Sequence, residues 1–426
     1  MMPIQMPVMM SGFDPRAVRD IAPVLKEFGM IPIQGGGTSS QAESEEIPLE
    51  PGAVLGVQFV RGDASAFASG TLTYIDGNRI LAFGHPMYGM GEISLPMAVG
   101  RASLLVPSLM VSSKSASPAK TMGTLVYDSQ YGIIGVIGRQ PEFIPMNVRI
   151  SSQRVSQPLE YNFEIANHKL FSPAYIFATA VSTIYAAEKS VGDYTMRTHS
   201  EINLEGYPTI SRDNIFSGTS PGAAAAAFAA PLYSLMQNRF EEVDVQSILL
   251  EISFEDKRSN AQIDGVQISR DQIRPGDSLE VMVFITPYME DTVIKRFEVA
   301  VPKDAPEGRS FLRISDAASS VSWERARAPM KSRIVDLPHL IRRIREEESN
   351  NDLIVELFAP KVGVTIRDQE LPALPLTAFS VINSAKQTGA SGLTRGTTFL
   401  KQRIQTDYVI SGSAMLLLNI DRDATY

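Results

Sequence analysis

The sequence predicts a mainly β chain with some α-helix: a β-barrel or sandwich region, then helices, then an immunoglobulin-like β-sandwich. Three observations predict it. Thirty glycines and 27 prolines punctuate the 426 residues often enough to favour many short elements. Short runs rich in Val, Ile, Thr and Tyr, separated by turn residues, fill 53–165 and again 243–316. Between them, two Ala-rich stretches change the period from that of a strand to that of a helix. A chain of this length exceeds one typical core, so two to three domains are expected.

The first element is FDPRAVRDIAPVLKEFGM (13–30), where Asp14 can cap, Pro15 suits the first helical turn, and Val18, Ile21, Leu25 and Phe28 recur at helical spacing. QGGGTSSQAESEEIPLEPG (34–52) has no apolar period and reads as a flexible, solvated linker, so 1–50 is an N-terminal helix and linker. The barrel region, 51–165, holds AVLGVQFV, GTLTYIDGNRILAFG, TMGTLVYDSQYGIIGVIG, FIPMNVRIS and LEYNFEIA, with Asp76-Gly77 marking a hairpin turn. An α-rich packing region, 166–242, contains helices over 172–190 and 220–240 with strands between them. The second helix is short and interrupted by Pro231, which favours a buried packing helix over a membrane span. Strands at sandwich spacing around the turn RPGD (274–277) make 243–316 a separate β-sandwich. The remainder, 317–426, is a C-terminal α+β region with a charged helix over 337–350 and no assigned role.

Composition excludes several chemistries. A net charge of −8 gives no general attraction to nucleic acid or to anionic lipid. With no cysteine there is no disulfide, no thiolate-ligated metal and no Cys nucleophile. His85, His168, His199 and His339 are widely separated and form no HExxH-like pair, so neither a metal nor another cofactor is expected. MMPIQMPVMMSGF is apolar but lacks a basic n-region and is broken by Pro3 and Pro7, so no signal peptide or integral membrane segment is expected in this chain.

The candidate chemistry lies in ILAFGHP (80–86), where an apolar run ends in Gly84-His85-Pro86 and an imidazole sits at a turn. Histidine titrates near neutrality, so one fixed between Gly and Pro suits a general base, although a loop histidine without chemistry has the same local sequence. A carboxylate to orient it could come from Asp63, Asp76 or Asp128. Asp76 is most simply a turn residue, and Asp128, between apolar strands, is favoured over Asp63. Gly84, Gly89, Gly91, Gly132 and Gly135 could bring backbone N–H groups to an oxyanion or simply serve tight turns. Ser220 in FSGTSPG is a remote candidate nucleophile against its simpler role as helix N-cap, and Ser117-x-x-Lys120 is a chance-level match to a Ser–Lys pattern.

GTLTYIDGNRILAFGHPM (70–87), VPSLMVSSK and GTLVYDSQYGIIGVIG (123–138), taken in this order, resemble the long multi-domain bacterial members of the SpoIVB-type serine peptidase family. The resemblance covers roughly 50–150. It implies a trypsin-like β-barrel, with His85 at the position of the family's general base. The family's nucleophile sits in a GMSGSP-like segment, which does not occur here and which in the long members lies upstream of the part corresponding to Met1. The expectation is therefore a catalytically incomplete C-terminal portion of a serine endopeptidase, or a divergent version that has lost the serine segment, acting on protein or peptide outside the cytoplasmic membrane, with His85 and Asp128 as its site residues. The alternative is a non-enzymatic, extracytoplasmic protein-binding module whose partner meets the 243–316 sandwich. A structural surface protein is a third reading, suggested by sandwich content alone.

Overall fold

A computed structural model describes residues 6–35, 47–106, 113–152, 157–187, 194–218, 220–366, 369–371 and 391–425. The linker expected over 34–52 and the VPSLMVSSK motif fall largely outside them. The chain is mainly β, with several sheets. It forms two compact units, one from Met1–Val191, His199–Ser211 and Thr219–Ser253, the other from Gly192–Thr198, Arg212–Gly218 and Phe254–Tyr426.

In the first unit, strand β1 (Met6–Ser11) leads into helix α1 (Pro15–Glu27), and β2 (Met30–Gln34) returns parallel to β1. The helix starts where the sequence indicates: the Asp14 carboxylate accepts the Arg16 N–H at 2.8 Å, and Pro15 needs no donor there. Six strands follow, β3 (Val54–Gly62), β4 (Ser65–Asp76), β5 (Arg79–Ala82), β6 (Gly91–Val106), β7 (Ser113–Ser129) and β8 (Gly132–Ile137). They pair in the order β3-β6-β7-β8-β5-β4, and β4 pairs back onto β3, so the ladder closes into a small antiparallel barrel. Closure removes the sheet edges and points alternate residues inward.

The barrel interior holds Leu72, Ile80, Leu95, Met97, Leu125 and Ile133, all buried. Met97 has room only because Gly135 has no side chain, since a Cβ there would stand 2.5 Å from the Met97 sulfur. Ser117 and Lys120 lie on β7, so the helical turn that a Ser-x-x-Lys pair needs is not formed.

The sheet continues from β3 to β10 (Leu159–Ala166) and β9 (Phe143–Ser152). Helix α2 (Ser172–Ala187) covers it, with Tyr175 stacked on Phe59 at 4.8 Å, and α3 (Pro221–Met236) packs on α2. Among the described residues no helix is long and apolar enough to cross a membrane.

In the second unit, a four-stranded sheet (Val293–Ala300, Ser278–Pro287, Asn260–Ile268, Val409–Ser411) faces a five-stranded one built on Gly308–Ser315, Asp352–Ala359, Thr397–Gln405 and Ser413–Ile420. One core joins them, including Val281, Val283, Ile314, Val355 and Leu418. The sandwich expected over 243–316 thus takes strands from 352–420 as well, whereas its expected first strand, Val245–Glu255, pairs instead in the large sheet beside β9. The charged helix expected over 337–350 spans Leu337–Arg345, capped by Asp336. A further helix, Ala317–Arg327, is capped by Asp316.

Candidate functional site

The Gly84-His85-Pro86 turn joins β5 to β6 at one end of the barrel. Two consecutive residues, Phe83 at φ 75° and Gly84 at φ 72°, take the left-handed conformation and turn the chain sharply out of β5. Glycine adopts this freely, whereas Phe83 does not and has to be held. Its N–H donates to Thr71 O at 2.9 Å, and its ring fills the place of the missing Gly70 side chain, where a Cβ would lie 2.4 Å from the ring.

Beyond the turn, the loop is wrapped around one carboxylate. Asp128, near the end of β7 and 1% exposed, accepts N–H bonds from Met87 at 2.8 Å, Tyr88 at 2.7 Å, Gly89 at 2.8 Å and Met90 at 3.4 Å. Successive N–H groups converging on an anion make a nest, and a buried carboxylate satisfied in this way needs no cationic partner. Tyr88, whose hydroxyl is pushed well above its ordinary pKa by burial and by the Asp128 charge, packs its ring 5.0 Å from Phe171. The loop is thus clamped from two sides.

His85, at the head of this loop, is half-buried, with its Nδ1 2.8 Å from Pro86 O. A carbonyl only accepts, so in the neutral ring Nδ1 carries the proton and the lone pair sits on Nε2. The Phe83 ring lies 5.9 Å away. Asp128 and His85 therefore belong to one turn with no hydrogen bond between them: the carboxylate holds the backbone beyond Pro86, and the imidazole is oriented by a main-chain oxygen.

The other sequence candidates lie elsewhere. Asp63 accepts the Asn162 N–H at 2.7 Å and ties the β3–β4 turn to β10. Asp76 pairs with Arg79 across the hairpin turn. Gly89 spends its N–H on Asp128, and Gly132 and Gly135 belong to the β8 ladders. Ser220 caps α3, accepting the Ala223 N–H at 3.3 Å. No group of three or more His, Asp or Glu side chains among the described residues could hold a metal ion.

A residue that the sequence did not single out, His168, lines a cleft of ≈ 610 Å³ together with Glu92, Glu142, Lys169 and Arg239. Its ring stacks on Phe171 at 4.7 Å, and Nδ1 accepts the Leu170 N–H at 3.3 Å. Burial, reinforced by the Lys169 charge, brings its pKa down to about 4, so the ring stays neutral at pH 7. Phe171 joins this cleft wall to the Asp128-held loop through Tyr88. His168 was not recognisable from sequence because ANHKLF has no spacing that sets it apart.

Searches with the chain matched no family model, no curated protein and no solved structure.

Proposed function

We propose that this chain carries the base-bearing part of a SpoIVB-type serine endopeptidase, with His85 as general base and the nucleophile supplied by a segment outside it. The observation that carries this reading is the Nδ1 contact to Pro86 O, which leaves the lone pair on Nε2 of a half-buried ring. In a Ser-His-Asp triad a carboxylate fixes that tautomer. Here a carbonyl does so, and Asp128 acts one step back as a positioning residue by fixing the loop. On this reading the closed barrel is one half of a trypsin-like fold, the second unit is an immunoglobulin-like sandwich, and the protein works on polypeptide outside the cytoplasmic membrane.

A second reading, a protein-binding module, is favoured by one observation. Neither ring nitrogen of His85 meets a side-chain hydroxyl among the described residues.

Labelling of the complete protein, with the upstream segment that supplies the nucleophile present, by a fluorophosphonate serine probe, read by intact mass and peptide mapping, separates the two. A serine adduct that is lost in His85→Ala supports the peptidase. An adduct that persists in His85→Ala removes His85 as the base. No adduct in either protein, with peptide capture indifferent to His85→Ala, supports the binding module.

A further inference from the structure

The β7–β8 hairpin that carries Asp128 opens a second cleft at its far end, from Lys120 to Gly123 on one strand and Ile137 to Arg139 beyond the other. Lys120 and Asp128 are roughly 25 Å apart by the rise of a strand, so this cleft is separate from the His85 turn. Its volume is ≈ 400 Å³. Arg61, Lys120 and Arg139 line it, no carboxylate does, and the rest of the wall mixes Met122, Ile137 and Phe143 with Thr121, Gln140, Pro141 and two glycines.

The three cations are not equivalent. Arg61 is fixed: its guanidinium donates to both Glu164 oxygens at 2.7 and 2.9 Å and to Thr121 Oγ1 at 3.2 Å, and it lies 4.1 Å over the Phe143 ring. It forms a rigid wall whose charge is answered by Glu164. Lys120 and Arg139 have no ion-pair partner among the described residues. The backbone around Arg139 is nevertheless held, since Thr124 Oγ1 donates to Arg139 O at 3.0 Å and the Gly138 N–H donates to Met122 O at 2.9 Å. Two uncompensated cations thus face one cleft in a chain of net charge −8. Their mutual repulsion is relieved by an anion placed between them.

We infer that this cleft binds a small ligand with an anionic head, carboxylate or phosphate monoester, and an apolar body. The head meets Lys120 and Arg139, and the body covers Met122, Ile137 and Phe143. A bare phosphate or acetate would leave most of the cleft unfilled and those apolar side chains wet, whereas a neutral apolar molecule would leave both cations unanswered.

Isothermal titration with four probes tests it: octanoate, octyl phosphate, octan-1-ol and inorganic phosphate. Both amphiphilic anions are expected to bind, with the alcohol and inorganic phosphate each at least about tenfold weaker, the scale of one charge-assisted contact or one buried alkyl segment. The tighter of the two anions identifies the head group. In Lys120→Ala/Arg139→Ala the affinity for both falls by about 30-fold or more while the thermal midpoint is unchanged, because neither side chain supports the fold. Equal binding of the alcohol, indifference to the double substitution, or a Kd for both anions above about 1 mM overturns the inference.

Discussion

Asp128 in the barrel and Glu356 in the sandwich are equally buried, 1% and 2% exposed, yet their charges are met in opposite ways. Asp128 is held by main-chain N–H groups of one loop. Glu356 faces Arg313 across the sheet at 2.8 Å, and Arg313 also donates to Ser315 Oγ and Ser319 O. Next to them Arg327 binds both oxygens of Glu370, and Lys331 and Lys401 reach Glu324. The first arrangement gives a loop its shape. The second ties strands and a helix together with side chains, each needing its partner.

The largest effect should therefore follow from removing one member of the sandwich network. Glu356→Gln leaves the Arg313 charge buried and unanswered and is expected to cost about 3–5 kcal/mol in urea unfolding. Replacing both residues by apolar ones, Arg313→Met with Glu356→Leu, should restore most of that loss. A single substitution costing under about 1 kcal/mol would show that water answers the Arg313 charge, and the contrast with Asp128 would disappear.

Asp128→Asn is expected to cost less, about 2–3 kcal/mol, because a carboxamide keeps one acceptor while losing the charge and the second oxygen. The loss should be local. Hydrogen exchange at Met87, Tyr88 and Gly89 should accelerate by about a hundredfold, while the Asp352–Ala359 strand of the second unit should not change. Uniform acceleration across the first unit would mean that Asp128 supports the barrel as a whole and not the turn.

Acid separates the two regions further. His168 has its pKa lowered from 6.5 to about 4, so the unfolded chain binds a proton that the folded one refuses. Stability of the first unit is fully present above pH 6.5 and falls as pH drops toward 4, by at most about 3 kcal/mol. In the second unit burial alone would raise Glu324 and Glu370, but Lys331 and Lys401 beside the first, and Arg327 and Lys331 beside the second, hold both below the usual carboxylate range. Their contribution is present above pH 4.5 and is lost only below it. Asp352, raised by burial, runs the other way in that range and softens the loss. Amide exchange in α2 and in Asp352–Ala359, followed from pH 7 to 4, should thus show α2 loosening first. His168→Phe should remove that early phase.

The two arrangements were also unequally legible in the sequence. The turn could be read because Gly84, His85 and Pro86 each limit the backbone in their own way, and α1 and α3 because Asp14-Pro15 and Ser220-Pro221 are local start signals. The task of Asp128 could not, because its partners are main-chain N–H groups that any residue supplies. All that showed was a carboxylate between apolar strands, which fits an imidazole partner equally well. The Arg313–Glu356 pair depends on which strands become neighbours, as does the completion of the sandwich by 352–420. Ala317–Arg327 has no apolar period, so Asp316 was its only local mark.

The smallest expected effect concerns a residue with two readings. Ser220 stands before Pro221 at the start of α3, exposed, and its hydroxyl accepts the Ala223 N–H at 3.3 Å. As a long, solvent-facing cap it should contribute at the low end of the range for such residues, so Ser220→Ala is expected to cost about 0.5–1 kcal/mol. Ser220→Asp should recover that loss, because a carboxylate also caps and favours the positive end of the helix dipole. A nucleophile behaves differently: neither substitution would preserve an adduct-forming hydroxyl. Fluorophosphonate labelling unchanged in both variants, alongside the small stability cost and its recovery, assigns Ser220 to the helix. Labelling abolished by both would make it the nucleophile.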